Sequence, residues 1–284
     1  MTGINLTFLS SIFLLLPALS GNLHGQPRIL RLIDATTSVP IPYVNIYFPG
    51  NGFGTITDGE GFAKVLLDTL DLQDSIVFSS LNYLEQRVTV GDILSDQDTI
   101  DVQLSRVAYD IGTINILADR IEYRQRKLGD KRRPNNARYD LTTVDPPSEI
   151  GKTIETKHRS RIDSITIYLE EMEVDSFLLE VNIYDFSLQW PGRKLQSKRI
   201  IQNVKRGAAG ETVVIDLTDQ HIAITDKVLV TLRGLRYNPD GPDTGLLLIG
   251  ARVGSGKGME RRVDGSWSDP YLTPALTVHV RQLK

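Results

Sequence analysis

Apolar and polar residues alternate with a period of two along most of this chain, in short runs broken by Gly, Pro, Asn and Asp. A strict period of two places successive side chains on opposite faces of a strand, so the pattern demands half-buried β-strands and leaves little room for helix. Between Gln26 and Ser105 the runs are Tyr43–Phe48, Gly54–Thr57, Phe62–Leu67, Ser75–Ser79, Gln86–Val90 and Thr99–Leu104. Gly50-Asn51-Gly52 and Asp58-Gly59-Glu60-Gly61 supply turns between them, where glycine takes positive φ without steric cost. Several strands spaced about ten residues apart predict a small β-sandwich.

From about Glu149 to the end the alternation resumes. Ile165, Ile167 and Leu169 face one way, and Phe177, Leu179, Val181 and Ile183 form a second such row. Further strands are expected near 198–202, 212–217, 227–235, 246–253, 261–263 and 275–280, about eight in all. That number suits a two-sheet sandwich of the jelly-roll kind. The fold class is therefore all-β, with two sandwich domains over 26–105 and 149–284. Only 90–95 and 118–127 read as tolerable helices.

The segment between the domains, 106–148, is expected to hold a short strand and a basic linker. Residues 120–138 contain 8 basic and 2 acidic side chains, a balance of +6. The region 26–105 contains 4 basic and 11 acidic ones, a balance of −7. A run such as Arg124-Gln125-Arg126-Lys127 reads first as a solvated linker. An anionic partner is the functional alternative, whether a phosphate-rich polymer, a lipid surface or the acidic first domain. The overall charge of −3 argues against nucleic acid as a bulk partner.

Residues 6–19 form an uncharged apolar stretch broken by Pro17 and followed by Ala18-Leu19-Ser20. It is short of the roughly 20 residues that cross a bilayer as a helix. A secretory signal peptide over 1–20, cut before Gly21, is the expectation, with no transmembrane segment after cleavage. An uncleaved anchor or a buried first strand is the bland alternative. The chain is thus read as exported, to the periplasm or the outer-membrane or cell surface.

The chain has no cysteine, which excludes thiol nucleophiles, disulfides and Cys-ligated metals. His24, His158, His221 and His279 stand far apart, and none belongs to a zinc-hydrolase motif. Gly254-Ser255-Gly256-Lys257-Gly258 lacks the first glycine and the closing hydroxyl of a phosphate-binding loop and reads as a strand-to-strand loop. Asp58, Glu60, Asp68, Asp71 and Asp74 do not follow the calcium-loop spacing. No catalytic, metal or cofactor-binding residue is assigned. Trp190 and Trp267, beside turn residues, are the candidate ligand-binding residues, since an exposed indole stacks on a sugar ring. A position at the edge of a core is the alternative for both.

Ile41-Pro42-Tyr43-Val44-Asn45-Ile46, Gly54-Thr55-Ile56-Thr57-Asp58-Gly59-Glu60-Gly61-Phe62 and Asp74-Ser75-Ile76-Val77-Phe78-Ser79 occur in a familiar order. The stretch from Arg28 to Leu104 resembles the carboxypeptidase regulatory-like domain, common in envelope proteins of Bacteroidota. The resemblance implies a transthyretin-like seven-strand sandwich without catalytic residues. Ile111–Ile116 resembles the strand that follows this domain in TonB-dependent receptors. Only 166 residues follow Ala118, too few for a 22-stranded barrel of about 220 strand residues. Glu149-Ile150-Gly151, Val181–Tyr184, Trp190-Pro191-Gly192, Ile215-Asp216-Leu217 and Gly265-Ser266-Trp267 resemble an uncharacterised sandwich found beside the domain in small Bacteroidota proteins.

The expected function is a non-enzymatic exported binding or scaffolding module of the bacterial cell envelope. Its ligand would be a glycan, a peptide or an envelope protein. The alternatives are a carboxylate-based glycan hydrolase in the second sandwich, and a regulator docking on a TonB-dependent receptor or protease.

Overall fold

The computed structural model describes residues 27–95, 97–107, 122–134, 137–141, 148–187, 189–205, 212–235, 246–254, 256–262 and 264–283. The expected signal peptide and the strand at 111–116 lie outside the described residues. The first sandwich is built from β1 (Arg28–Asp34), β2 (Asn45–Phe48), β3 (Phe53–Ile56), β4 (Phe62–Val65), β5 (Ser75–Ser79), β6 (Gln86–Thr89) and β7 (Thr99–Leu104). They form a three-stranded sheet, β4-β1-β7, and a four-stranded one, β3-β2-β5-β6. Leu30, Leu32, Val65 and Val102 of the first meet Ile46, Phe48, Ile76 and Phe78 of the second in a closed core. The helix expected over 90–95 is a single turn, α1 (Val90–Ile93), opened by a capping box between Thr89 and Asp92.

Burial of β2 departs from the alternation. Ile46 and Phe48 point into the core, so Asn45 and Tyr47 belong to the opposite face, which one sheet of a sandwich normally leaves wet. Yet Asn45 and Tyr47 are only 4% and 3% exposed. The second domain covers that face.

The second sandwich contains β8 (Tyr123–Gly129), β9 (Ala137–Asp140), β10 (Glu149–Glu155), β11 (Ser160–Met172), β12 (Ser176–Ser187), β13 (Trp190–Lys194), β14 (Ile200–Lys205) and β15 (Thr212–Asp216). It continues with β16 (Ala223–Ile224), β17 (Lys227–Leu235), β18 (Leu247–Val253), β19 (Gly258–Arg261), β20 (Trp267–Ser268), β21 (Leu272–Pro274) and β22 (Leu276–Leu283). One sheet runs β13-β12-β17-β10-β19-β20, with β14 also on β12. The other runs β21-β18-β11-β22-β8, with β15 and β16 on β11 and β9 on β18. The chain switches sheets at most connections, as in a jelly roll, and Ile150, Val181, Val230, Ile165, Ile249 and Val278 interlock between the layers. Among the described residues, no helix is long and apolar enough to cross a membrane.

The basic segment differs from expectation. Residues 123–129 are neither linker nor helix: they form β8, an edge strand paired antiparallel with β22 from Thr277↔Gly129 to Leu283↔Tyr123. Residues 137–140 likewise pair with β18. The helix over 118–127 fails because no apolar stripe of helical period exists there. Leu128 alone packs on the core, and the backbone finds its hydrogen bonds in β22 instead.

Gly129 makes that docking possible. Its φ is +84°, and a Cβ there would stand 2.5 Å from the Leu276 carbonyl oxygen and 3.0 Å from Ile154 Cδ1. Gly129→Ala is therefore expected to cost about 2–4 kcal/mol, from left-handed strain and overpacking together. Urea denaturation checks this; a change below about 0.5 kcal/mol would show that β8 is not seated as described.

Candidate functional site

Two places gather chemistry-bearing side chains, one on each outer face of the second sandwich. The first lies beneath the N-terminal domain. Ile150, Val181 and Val230 point inward on β10, β12 and β17, so Glu149, Glu180, Asn182, Tyr184, Thr231 and Arg233 occupy the opposite face. All are buried, with Glu149 at 0%, Glu180 at 1% and Arg233 at 1% exposure.

Glu149 accepts hydrogen bonds from Tyr184 Oη at 2.7 Å, Asn182 Nδ2 at 3.0 Å and Thr231 Oγ1 at 2.5 Å. Arg261 stands 3.5 Å away. Burial works to raise the Glu149 pKa, but Lys194, Arg261 and Arg233 outweigh it and hold the carboxylate below its usual range. Glu180 takes Arg199 Nε at 2.7 Å on one oxygen and Arg233 on the other. Burial again pushes its pKa up, and Arg233, Arg199 and Lys194 bring it down to about 2. Half-buried Lys194 lies 5.6 Å from the Tyr184 ring centre; burial pulls its pKa down to about 8, against the opposing pull of Glu180 and Glu149.

This layer is also the joint between domains. Arg199 donates to the carbonyls of Pro42 at 2.8 Å and Tyr43 at 2.5 Å and stacks over the Tyr43 ring. Arg233 donates to Asn45 Oδ1, and Asn82 Nδ2 donates to the Ser197 carbonyl at 3.0 Å. Hydrogen bonds and ion pairs engage both carboxylates, and the cross-domain bonds gather on the two arginines that hold Glu180.

The two tryptophans are not brought together as an exposed pair. The β19–β20 hairpin curls back over the outer face, so Trp267 meets Tyr184 edge-on, with ring centres 5.4 Å apart and an 81° interplanar angle. Leu229 and Met259 complete this small apolar cluster. Trp190, on the edge strand β13, is 57% exposed.

The second place is an open groove of about 560 Å³ on the other sheet, lined by Gln125, Arg126, Lys127, Lys131, Asp163, Ser164, His279 and Val280. Strand register creates it: Lys127 pairs with His279, which pairs in turn with Ser164. A register shift between Ile162 and Ser164 lies beside Asp163 at that point. His279 Nε2 is 3.0 Å from Thr166 Oγ1. Burial first, and then Lys127, lowers its pKa, with Asp163 opposing, a shift that favours the neutral ring. Asp163 receives both of its oxygens' bonds from Arg281 Nε, at 2.9 Å each.

Asp163, Ser164 and His279 are the residue types of a hydrolytic triad, but not its arrangement. The imidazole bonds Thr166 rather than Ser164, and Arg281 rather than the imidazole engages Asp163. The groove's chemistry is that of a positively charged recess. Sequence reasoning marked the basic run but missed Ser164 and His279, because only strand pairing brings them beside it.

No family model matches the sequence. No curated protein matches it either. Among solved structures, the chain is similar to the clostridial cysteine protease Cwp84 after propeptide cleavage, at 7% identity and a TM-score of 0.41, covering 91% of this chain and 71% of that one. It is also similar to the cysteine protease and lectin-like domains of Cwp84, a surface layer associated protein of Clostridium difficile. Identity there is 8% and the TM-score 0.40, over 91% of this chain and 63% of that one. An infectious bursal disease virus structure (Gt strain) shares 11% identity at a TM-score of 0.30, covering 85% of this chain and 58% of that one. Likenesses of this degree carry no argument about what the chain does.

Proposed function

We propose that this protein is a non-enzymatic binding or scaffolding module of the bacterial cell envelope, exported and built on a regulatory-like first domain. The 4+3 arrangement of seven strands, with Thr57-Asp58-Gly59-Glu60-Gly61-Phe62 between β3 and β4, supports that view of the first domain. What carries the binding role is the groove of about 560 Å³, whose lining offers cations, an amide, a hydroxyl and an imidazole. That volume suits a ligand of small-molecule to oligosaccharide size. The engagement of Glu149 and Glu180 in hydrogen bonds and ion pairs weighs against the carboxylate-hydrolase alternative, because a general acid must be free to meet its substrate.

Crosslinking in intact cells, followed by mass spectrometry, tests the module reading. The expected result is one or a few envelope components recovered repeatedly with this chain. Recovery of bulk periplasmic proteins alone would overturn it.

A further inference from the structure

We propose that the groove between β8, β22 and β11 binds an acidic oligosaccharide, with Lys127 and Lys131 meeting its anionic groups. The inference rests on the binding-module reading and names the ligand class for it.

Charge pairing is the first support. On this sandwich Arg133 meets Glu170 at 3.0 Å and Arg252 meets Asp130 at 2.6 Å, and at the groove itself Arg281 meets Asp163 at 2.8 Å. Lys127 and Lys131 have no ion-pair partner among the described residues, and they line one recess. Since Arg281 neutralises Asp163, the one carboxylate of the lining, the two lysine charges have no counter-ion among the described residues.

Basic residues on an edge strand also discourage edge-to-edge pairing, and that alone would explain Arg124 and Arg126. Edge protection needs no recess, however. It does not explain why Lys131, from the turn after β8, joins residues of two neighbouring strands around a cavity.

The remaining lining identifies the ligand class. Gln125, Ser164 and His279 offer hydrogen bonds suited to sugar hydroxyls, while Val280, the one apolar residue of the lining, is buried in the core. A peptide would need more apolar contact. The lining contains no aromatic residue for stacking nucleobases. A lipid surface would favour a protruding basic face over a concave one.

Binding is also expected to depend on pH. His279 faces Lys127 of β8, and Asp163, Ser164 and Thr166 of β11, with Arg281 two positions along its own strand. A bound carboxylate adds negative charge beside the imidazole, offsets Lys127 and favours its protonation.

The test is calorimetric titration of the full chain with a uronate trisaccharide, a neutral trisaccharide of equal length, inorganic phosphate, and vesicles with and without anionic lipid. Binding of the uronate trisaccharide alone among these probes is expected. It should weaken with added salt and tighten as the pH falls. The double variant Lys127→Gln, Lys131→Gln should lose about tenfold or more in affinity, while Lys205→Gln keeps it. His279→Gln should abolish the pH dependence with the fold retained.

Equal binding of neutral and acidic sugars, or an unchanged double variant, would overturn the proposal. So would binding of anionic vesicles or free phosphate in place of the trisaccharide. If the double variant still crosslinks to the same envelope component in cells, the groove assignment fails while the module reading stands.

Discussion

Glu180→Gln is expected to destabilise the protein by about 3–5 kcal/mol, the cost typical of breaking a buried ion pair from one side. Glu180 is the carboxylate shared by Arg199 and Arg233. Without its charge, the fully buried Arg233 keeps its own charge and loses its counter-ion. Arg233 already carries an Nε with no partner among the described residues, so it has no reserve bond to fall back on. Both arginines also reach the first domain, through Asn45, Pro42 and Tyr43. The loss should therefore appear as looser docking of that domain as well as lower global stability. Urea denaturation reads the first effect, and hydrogen exchange at 42–47 reads the second. A cost below about 1 kcal/mol would show that the cluster does not join the domains.

Acid should reproduce the effect. The Glu180 pKa lies at about 2 in the folded protein, against 4.5 for an unperturbed glutamate. The folded state holds its proton less readily than the unfolded state does. Its contribution is thus fully present above pH 4.5 and is lost as the pH falls toward 2. It amounts to about 3 kcal/mol, and Glu180→Gln should remove that part of the acid sensitivity.

Asp130→Ala is expected to cost a similar amount, about 3–5 kcal/mol, for a different reason. Lys152 lies in the inward row of β10 between Ile150 and Ile154, where an unpaired ammonium is costly. Asp130 accepts its Nζ at 2.5 Å, Arg252 Nε at 2.6 Å and the Leu276 amide at 3.2 Å. Asp130 directly follows β8, so these bonds also hold the end of the basic strand against the sandwich. The variant should unprotect the amides of 123–129 in hydrogen exchange. The double replacement Asp130→Leu, Lys152→Met should recover much of the stability, because no buried charge is then left alone. Equal losses in the single and double variants would mean that packing, not charge, dominates this corner.

These clusters also show where local patterning stops being informative. The alternation around Phe177–Ile183 and at 227–235 marks both strands and their inward rows, and β5, β7 and β17 run over the expected residues. The same alternation assigns Asn45, Tyr47, Glu180 and Arg233 to a wet face. They are buried because a second domain lies on that face, and no local signal encodes that. Trp267 is comparable: the chain marks a turn beside it, but the curl of the β19–β20 hairpin is what puts it against Tyr184.

By itself, the sequence determined an all-β chain of two sandwiches with no thiol chemistry and a concentration of positive charge near residue 130. Side-chain period and turn residues act over a few positions, so they can be read locally. Tertiary structure alone decided that the basic run is a strand and that Glu149 and Glu180 are engaged in a buried joint. It also decided that Lys127 and His279, more than 100 positions apart, share one groove. Each of those outcomes depends on which backbone supplies the hydrogen bonds and which surface excludes the water, and both are set by residues far away in the chain.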